Sequence, residues 1–353
     1  MHVFAYFGAF GLACYDFEGV ERWRKPLPIP ITQHGSGTSP VLAGDYLVLN
    51  CDQDVDSYLI AVDKPSGRTV WRTERAEFRR GFSTPLPYPP ERPEQLIVPG
   101  TLRLVAYDLK DGSERWTVRG FANEMVPSPV SGDGLIFVTG WTPGSGAPTL
   151  ANFDALLAAG DQTKDGKLTR EETPAGPARQ HFVYIDADKD GFVTREEWDS
   201  MSTIFNQSQN VLLAVKPGGT GDCTATHVEW KQTRGLPYCP SPLHHDDRIY
   251  LVKNGGLASC FDARTGKIFY QEERLGTIGD FYASPIAAGD KICAISQPGT
   301  VVIYRAGETL EVLSRNSLGE TVVATPAVID AILYIRTRDA LWAFREPAIS
   351  AGP

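Results

Sequence analysis

The sequence predicts an all-β propeller of about seven four-stranded blade units, with a small α-helical pair of metal-binding loops inserted in one blade. Three observations predict this fold: a repeat of about 43 residues, a motif containing Gly and Trp that recurs within it, and two acidic twelve-residue loops in the one interval that is too long. The 353 residues, 42% of them hydrophobic, are enough to bury a large core.

The repeat is marked by proline after Ser or Thr, which recurs at intervals of 45, 44, 113, 43 and 41 residues, at Pro40, Pro85, Pro129, Pro242, Pro285 and Pro326. A steady period with one interval about 70 residues too long indicates a repeat array that carries one insertion. Each repeat contains β-branched and aromatic runs separated by Gly-Asp-type turns, which is typical of short strands. Four such strands per repeat predict propeller blades.

A second motif follows the turns and reads A-x-D-x-x-x-G-x-x-x-W. Its aspartate is suited to hydrogen-bond the turn backbone, its glycine to adopt a positive φ, and its tryptophan to fill the gap between sheets. Two full copies and two variants occur, at Ala61–Trp71, Ala106–Trp116, Ala13–Trp23 and Asp262–Tyr270.

These motifs resemble the PQQ-like propeller repeat family, which includes quinoprotein alcohol dehydrogenases and the propeller lipoprotein of the outer-membrane barrel assembly machinery. The resemblance implies a propeller over 1–140 and 210–346, with seven units at 2–30, 38–76, 82–122, 125–232 (interrupted), 238–276, 280–320 and 322–345. Family members begin with a signal peptide and further propeller residues, whereas this chain starts with a strand-like segment. A fragment of an eight-bladed ring is therefore an alternative to seven complete units.

The insertion, 141–209, contains two loops with oxygen ligands at the spacing that a calcium ion needs. In such loops, positions 1, 3, 5, 9 and 12 offer side-chain oxygens, position 7 offers its carbonyl, and position 6 is Gly. The first loop supplies Asp161, Thr163, Asp165, Lys167 (carbonyl), Thr169 and Glu172. The second supplies Asp186, Asp188, Asp190, Phe192 (carbonyl), Thr194 and Glu197.

Both loops resemble EF-hands, and the sequence predicts two Ca²⁺ sites. Apolar spacing predicts an entering helix near Phe153 and a leaving helix near Trp198. The linker between the loops is short, and Pro174 should end the first exit helix almost at once. We expect a compact, shortened pair that is joined to the blade by a Gly/Pro-rich stalk, 141–148, and a polar stalk, 208–210. At the other end of the chain, we expect residues 347–353 to form a C-terminal tail.

Other polar clusters are interpreted more simply. The acidic segment Cys51–Asp56 lacks Gly or Glu at calcium-loop spacing, so a solvated loop is favoured over a third metal site. The cluster His244–Asp247 is favoured as a polar turn over a transition-metal site. Among residues on the links between blades, Arg79, Arg80 and Tyr282 are the candidates for binding an organic anion or a sugar.

The function favoured is a calcium-binding scaffold or recognition module, with a protein or polysaccharide partner. The resemblance implies a periplasmic or secreted location in the bacterial cell envelope. A quinoprotein dehydrogenase-like enzyme or a carbohydrate-binding propeller is the alternative. PQQ is not expected, because family dehydrogenases hold it with a vicinal disulfide and this sequence has no adjacent cysteines. A net charge of −9 disfavours nucleic acid, and no apolar run is long enough for a membrane span.

Overall fold

The computed structural model describes residues 1–32, 34–143 and 152–345. Over these residues the strands form seven blade sheets of a β-propeller, most of them four-stranded, together with one small sheet in the insert. The predicted fold class is confirmed. The chain divides into two compact units, of which the first contains 1–125, 141–210 and 218–226 and the second contains 126–140, 211–217 and the residues from 227 onward. The predicted tail and most of the first stalk lie outside the described residues.

The first unit opens with three antiparallel blade sheets, of which the first has three strands. The middle strands of the second and third sheets are almost fully buried, so they are continuous apolar runs without alternation. The eleven strands are β1 (His2–Tyr6), β2 (Leu12–Asp16), β3 (Glu21–Lys25), β4 (Val41–Ala43), β5 (Tyr46–Cys51), β6 (Tyr58–Asp63), β7 (Thr69–Glu74), β8 (Leu86–Tyr88), β9 (Gln95–Gly100), β10 (Arg103–Asp108) and β11 (Glu114–Arg119).

The fourth blade sheet, in the second unit, is the interrupted one. Its strands lie in the order β12 (Val130–Gly132), β13 (Leu135–Gly140), β16 (Val211–Val215) and β18 (Val228–Gln232), so the insertion falls between the second and third strands. The elements of the insert itself belong to the first unit. They are α1 (Phe153–Gly160), β14 (Leu168–Thr169), α2 (Pro177–Gln180), α3 (Phe182–Ile185), β15 (Phe192–Val193) and α4 (Arg195–Gln207).

The chain then returns to the blades. The segment that follows contains β16 (Val211–Val215), β17 (Gly221–Asp222), α5 (Thr224–His227) and β18 (Val228–Gln232). The short β17 pairs in parallel with β11 and becomes a fifth strand of the third sheet. Three further sheets complete the second unit, with strands β19 (Leu243–His245), β20 (Arg248–Lys253), β21 (Leu257–Asp262), β22 (Ile268–Arg274), β23 (Ile286–Ala288), β24 (Lys291–Ile295), β25 (Thr300–Arg305), β26 (Val312–Ser317), β27 (Ala327–Ile329), β28 (Ile332–Arg336) and β29 (Leu341–Arg345).

The recurring tryptophan joins one blade to the next in the same way in both units. In the first unit, Trp71 Nε1 donates a hydrogen bond of 2.9 Å to the carbonyl of Leu109. Its ring covers Gly112, where a Cβ atom would lie 2.5 Å from Trp71 Cε3. In the second unit, Trp230 repeats the arrangement on Ala263 and Gly266. The motif glycine is therefore required both by its positive φ and by the ring above it.

The proline repeat also has a shared contact. In several repeats, the residue before the proline donates its backbone N–H to the hydroxyl of the equivalent residue one repeat later. In the first unit this bond joins Ser39 to Thr84 at 3.0 Å, and in the second unit it joins Ser241 to Ser284 at 2.9 Å. A hydroxyl is needed to accept the bond, which explains the Ser or Thr at this position.

Gly112→Ala is expected to lower the free energy of unfolding by about 1–3 kcal/mol, because the added methyl overpacks the space beneath Trp71. Gly19 provides a control, because it also lies four residues before a motif tryptophan, has a φ of +81°, and has no atom within 4 Å of the place that an added methyl would occupy. Urea unfolding of Gly19→Ala should show the smaller loss. Equal losses in the two variants would mean that backbone strain, not the tryptophan, accounts for the glycine.

The acidic segment Cys51–Asp56 is not the solvated loop that the sequence favoured. Asp52 and Asp54 are 8% and 4% exposed. Asp52 accepts two hydrogen bonds from Arg75, at 2.7 and 2.8 Å, and both side chains of this pair are fully buried. Asp54 is held in the same way by Arg80. The carboxylates can be buried because each has a guanidinium partner of matching geometry.

The insert has an apolar core of its own. Leu168 and Val193 face each other across the β14–β15 pair and are both buried. Phe153 stacks on Trp198 with ring centroids 5.7 Å apart. The buried members of this core are Phe153, Leu168, Phe182, Tyr184, Ile185, Val193, Trp198 and Met201.

Candidate metal centre

The second loop brings three carboxylates together. Asp186, Asp188 and Asp190 each offer one oxygen, and these oxygens lie within 4.8 Å of one another. Asp186 is at the end of α3, while the other two side chains are exposed. The loop turns at Gly191, whose φ is +86° and whose N–H donates to Asp186 Oδ2 at 3.2 Å. Three of the six positions predicted for this loop therefore meet in space.

Glu197 is held at the twelfth position by the start of α4. Thr194 is the N-cap of this helix, and Thr194 and Glu197 form a reciprocal capping box. Glu197 Oε2 accepts hydrogen bonds of 2.9 Å from both the N–H and the hydroxyl of Thr194, and Oε1 accepts one of 2.7 Å from the N–H of Ala187. The helix cap thus fixes the carboxylate that closes the loop.

The first loop has the same backbone design with fewer charges. Asp161 accepts from the N–H groups of Lys164 and Gly166 at 2.7 and 3.0 Å. Glu172 accepts from Thr169, as Glu197 does from Thr194. Thr163 replaces the second aspartate and donates its hydroxyl to Asp161 at 3.3 Å. The hydrogen bonds from Thr169 hold the pKa of Glu172 below its usual value. After this loop the chain makes only a turn before Pro174, as that proline predicts.

The residues of the second loop fit a calcium ion. Asp186 Oδ1 is buried and has no hydrogen-bond partner among the described residues. Burial, together with the charges of Glu197 and Asp190, raises the pKa of Asp186 against the lowering effect of the Gly191 N–H. An oxygen left without a donor beside two further carboxylates is the arrangement that a hard cation completes. Asp186, Asp188, Asp190 and Glu197, with the Phe192 carbonyl and Thr194, are the residues that would hold it.

The three residues predicted to bind an anion lie outside the two calcium-type loops. Arg79 and Arg80 are each only 7% exposed and face the insert. The Arg80 guanidinium carbon lies 4.3 Å from the centroid of the Tyr184 ring, and that of Arg79 lies 5.1 Å from it. Tyr282 is 40% exposed in the second unit. A ligand-binding role for these three residues stays a prediction.

Within the first unit, the insert contacts the second blade and its link through residues whose role the sequence did not predict. Tyr184, His181 and Lys189 of the insert meet Arg79, Arg80 and Asp56 of the second blade and its link. The sequence contains one signal of this contact. The acidic segment Cys51–Asp56 is followed further along the chain by a basic segment that ends at Arg80.

The second stalk, 208–210, is fixed in place by hydrogen bonds. Ser208 is 1% exposed and its hydroxyl lies 2.9 Å from both the N–H and the side-chain oxygen of Asn123. Asn210 accepts from the N–H of Thr142 and donates to the Thr142 carbonyl. These bonds close the base of the insert.

His181 should make stability depend on pH. Arg80 Nη1 lies 3.3 Å from His181 Nδ1, and a guanidinium can only donate, so Nδ1 accepts and the ring is neutral. Burial, then the charges of Arg80 and His34, lower the pKa of His181 against the effect of Asp54. The stabilising contribution is therefore complete above the ordinary pKa of about 6.5 and is lost as the pH falls through the lowered folded value. His181→Gln should lose less stability than the wild type between pH 7 and pH 5 in thermal melts. Parallel losses would contradict this assignment.

Fold and site together define a β-propeller with an inserted pair of loops that resemble EF-hands. The family model described as outer membrane protein assembly factor BamB matches residues 2–119 and 55–167, and the EF hand model matches 180–202, which contains the second loop. The predicted resemblance to the PQQ-like repeat family with an inserted EF-hand is confirmed.

Solved structures agree with this fold. BamB from Moraxella catarrhalis superposes with a TM-score of 0.58 at 15% identity, covering 96% of this chain and 78% of that one. The computationally designed Ika8 protein gives 0.60 at 10% identity, with 97% and 80% covered. The C-terminal WD40 domain of Sif2 gives 0.55 at 10% identity, with 95% and 75% covered. At these identities the likeness shows the fold alone. No curated protein sequence matches the chain significantly.

Proposed function

We propose that this chain is a calcium-binding β-propeller scaffold or recognition module of the bacterial cell envelope. The observation that carries the proposal is the second loop, where oxygens of Asp186, Asp188 and Asp190 meet and Asp186 Oδ1 is buried without a donor among the described residues. Oxygen ligands at this spacing bind Ca²⁺ in preference to softer metals. The first loop, with its equivalent backbone bonds, is the second calcium site.

The envelope location and a protein partner are supported by the description of the matching family, outer membrane protein assembly factor. A polysaccharide partner is the other binding candidate from the sequence. Over the described residues, no helix is long and apolar enough to cross a membrane. We further propose that 141–209 is a module distinct from the propeller, 1–140 and 210–346, because its apolar core is formed by its own residues.

Calorimetric titration of the full chain with Ca²⁺ tests this proposal. Two calcium ions should bind per chain, and the double variant Glu172→Gln/Glu197→Gln should bind none, because each change removes the charge of a closing carboxylate. Mg²⁺ is the control ion and should compete weakly. The calcium proposal would be abandoned if the wild type showed no saturable binding at millimolar Ca²⁺.

A further inference from the structure

The second hand is attached at its entering helix to a link between blades of the first unit. Helix α3 is a single turn that ends at Ile185, and the N–H of Asp186 donates to the Phe182 carbonyl at 2.8 Å. Tyr184 lies in this turn, two residues before the first predicted calcium ligand, and is 3% exposed. Any contact that fixes Tyr184 therefore fixes the position from which the loop begins.

Two arginines of the blade link provide such a contact. The guanidinium carbons of Arg79 and Arg80 lie 5.1 and 4.3 Å from the centroid of the Tyr184 ring, within the range of a cation–π interaction. Arg80 is itself fixed by its two bonds to Asp54, and Arg79 Nε donates to the Asp54 carbonyl at 3.0 Å. The hydroxyl of Tyr184 has no hydrogen-bond partner among the described residues, so the ring makes the contact.

The loop and its exit are held as well. Lys189, between the ligands Asp188 and Asp190, forms an ion pair with Asp56. At the far end of α4, Ser208 is bonded to Asn123. Burial lowers the pKa of Arg79, and interactions with Tyr184, Asp54 and Glu197 offset part of this effect. The second hand is thus held before, within and after its calcium loop.

We propose that Arg79 and Arg80, by clamping Tyr184, act as positioning residues that preorganise the second calcium loop, so that the propeller sets the calcium affinity of the insert. The inference rests on the proposed calcium function. A loop held in its binding geometry loses less conformational freedom when it binds, and its affinity is higher. Because coupling is reciprocal, calcium in this loop stabilises the blade segments 51–57 and 79–81 in return.

The test compares Tyr184→Leu with Tyr184→Phe in the full chain. Phe keeps the ring and loses only the unpartnered hydroxyl, so its calcium affinity should stay within about twofold of the wild type. Leu removes the ring, and calorimetry should show about a fivefold to tenfold weaker second site, at the low end of typical coupling, with the first site unchanged. Arg79→Met removes one cation from the blade side, without altering the insert, and should weaken the same site.

Hydrogen exchange provides the reciprocal measurement. Calcium should slow amide exchange in 51–57 and 79–81 of the wild type, and this protection should be absent in Tyr184→Leu and in Glu197→Gln. Wild-type affinity in both Tyr184→Leu and Arg79→Met, or unchanged exchange in the blade segments, would overturn the clamp while leaving calcium binding intact. Absence of calcium binding in the wild type would instead refute the proposed function.

Discussion

Arg75→Ala is expected to lower the free energy of unfolding by about 3–5 kcal/mol, because it leaves the Asp52 carboxylate buried without its partner. The Arg75 side chain is fully buried, donates to Asp52 and Tyr107, and covers the Phe78 ring at 3.9 Å. Burial acts to lower the pKa of Arg75, but Asp52 and Tyr107 outweigh it and raise the pKa. Urea unfolding measures the loss.

Two further variants distinguish the stability cost of leaving a buried charge unpaired from the cost of removing an arginine side chain. Arg24→Ala breaks an exposed pair with Glu21, in which Arg24 is 49% exposed, and should lower the stability much less, because solvent screens this pair. The double variant Arg75→Met/Asp52→Leu leaves no lone charge and should recover part of the stability. If Arg75→Ala were as stable as Arg24→Ala, the buried pair would not be a stabilising element.

Chelating calcium is expected to remove most of the helical circular dichroism and shift the fluorescence of Trp198, while the strand signal is nearly unchanged. Without metal, the carboxylates of each loop repel one another at short range, and the insert has only a small core to resist this. Chelation should also weaken the contacts of Tyr184 with the blade link. The main melting temperature should therefore fall by only about 2–4 °C, which corresponds to about 1 kcal/mol.

The double variant Glu172→Gln/Glu197→Gln is the matched control for this experiment, since a chain that binds no calcium should not respond to chelator. Loss of the whole strand signal on chelation would mean that the insert is integral to the propeller. The proposed boundary at 141–209 would then have to be given up.

The features that the sequence predicted are local or periodic. The proposed calcium ligands of the second loop lie within twelve residues. Its three aspartates meet around the turn at Gly191, and the cap at Thr194 fixes Glu197. The blades follow from a repeated motif whose tryptophan contacts the same position of the next repeat. In both cases the pattern is visible because the contact recurs or the partners are near in sequence.

The features that the sequence did not predict depend on contacts between residues that are far apart in the chain. Asp52 and Arg75 are 23 residues apart, and the acidic segment reads as solvated unless its partners are known. Tyr184 belongs to the core of the insert and also meets Arg79, more than one hundred residues earlier. From the sequence, the arginines are ligand candidates on a link between blades, because sequence spacing gives no information about what covers them. Their role in binding a ligand stays a prediction.

The most direct test of the calcium site compares Glu197→Gln with Glu172→Gln by calorimetry. The second loop has four carboxylates, Asp186, Asp188, Asp190 and Glu197, and the first has three, Asp161, Asp165 and Glu172. Ligand charge and rigidity set affinity in such loops, so the second should bind more tightly. Glu197→Gln should therefore remove the tighter of two calcium-binding steps, and Glu172→Gln the weaker. Greater loss of total affinity in Glu172→Gln, or no change in either variant, would contradict this account.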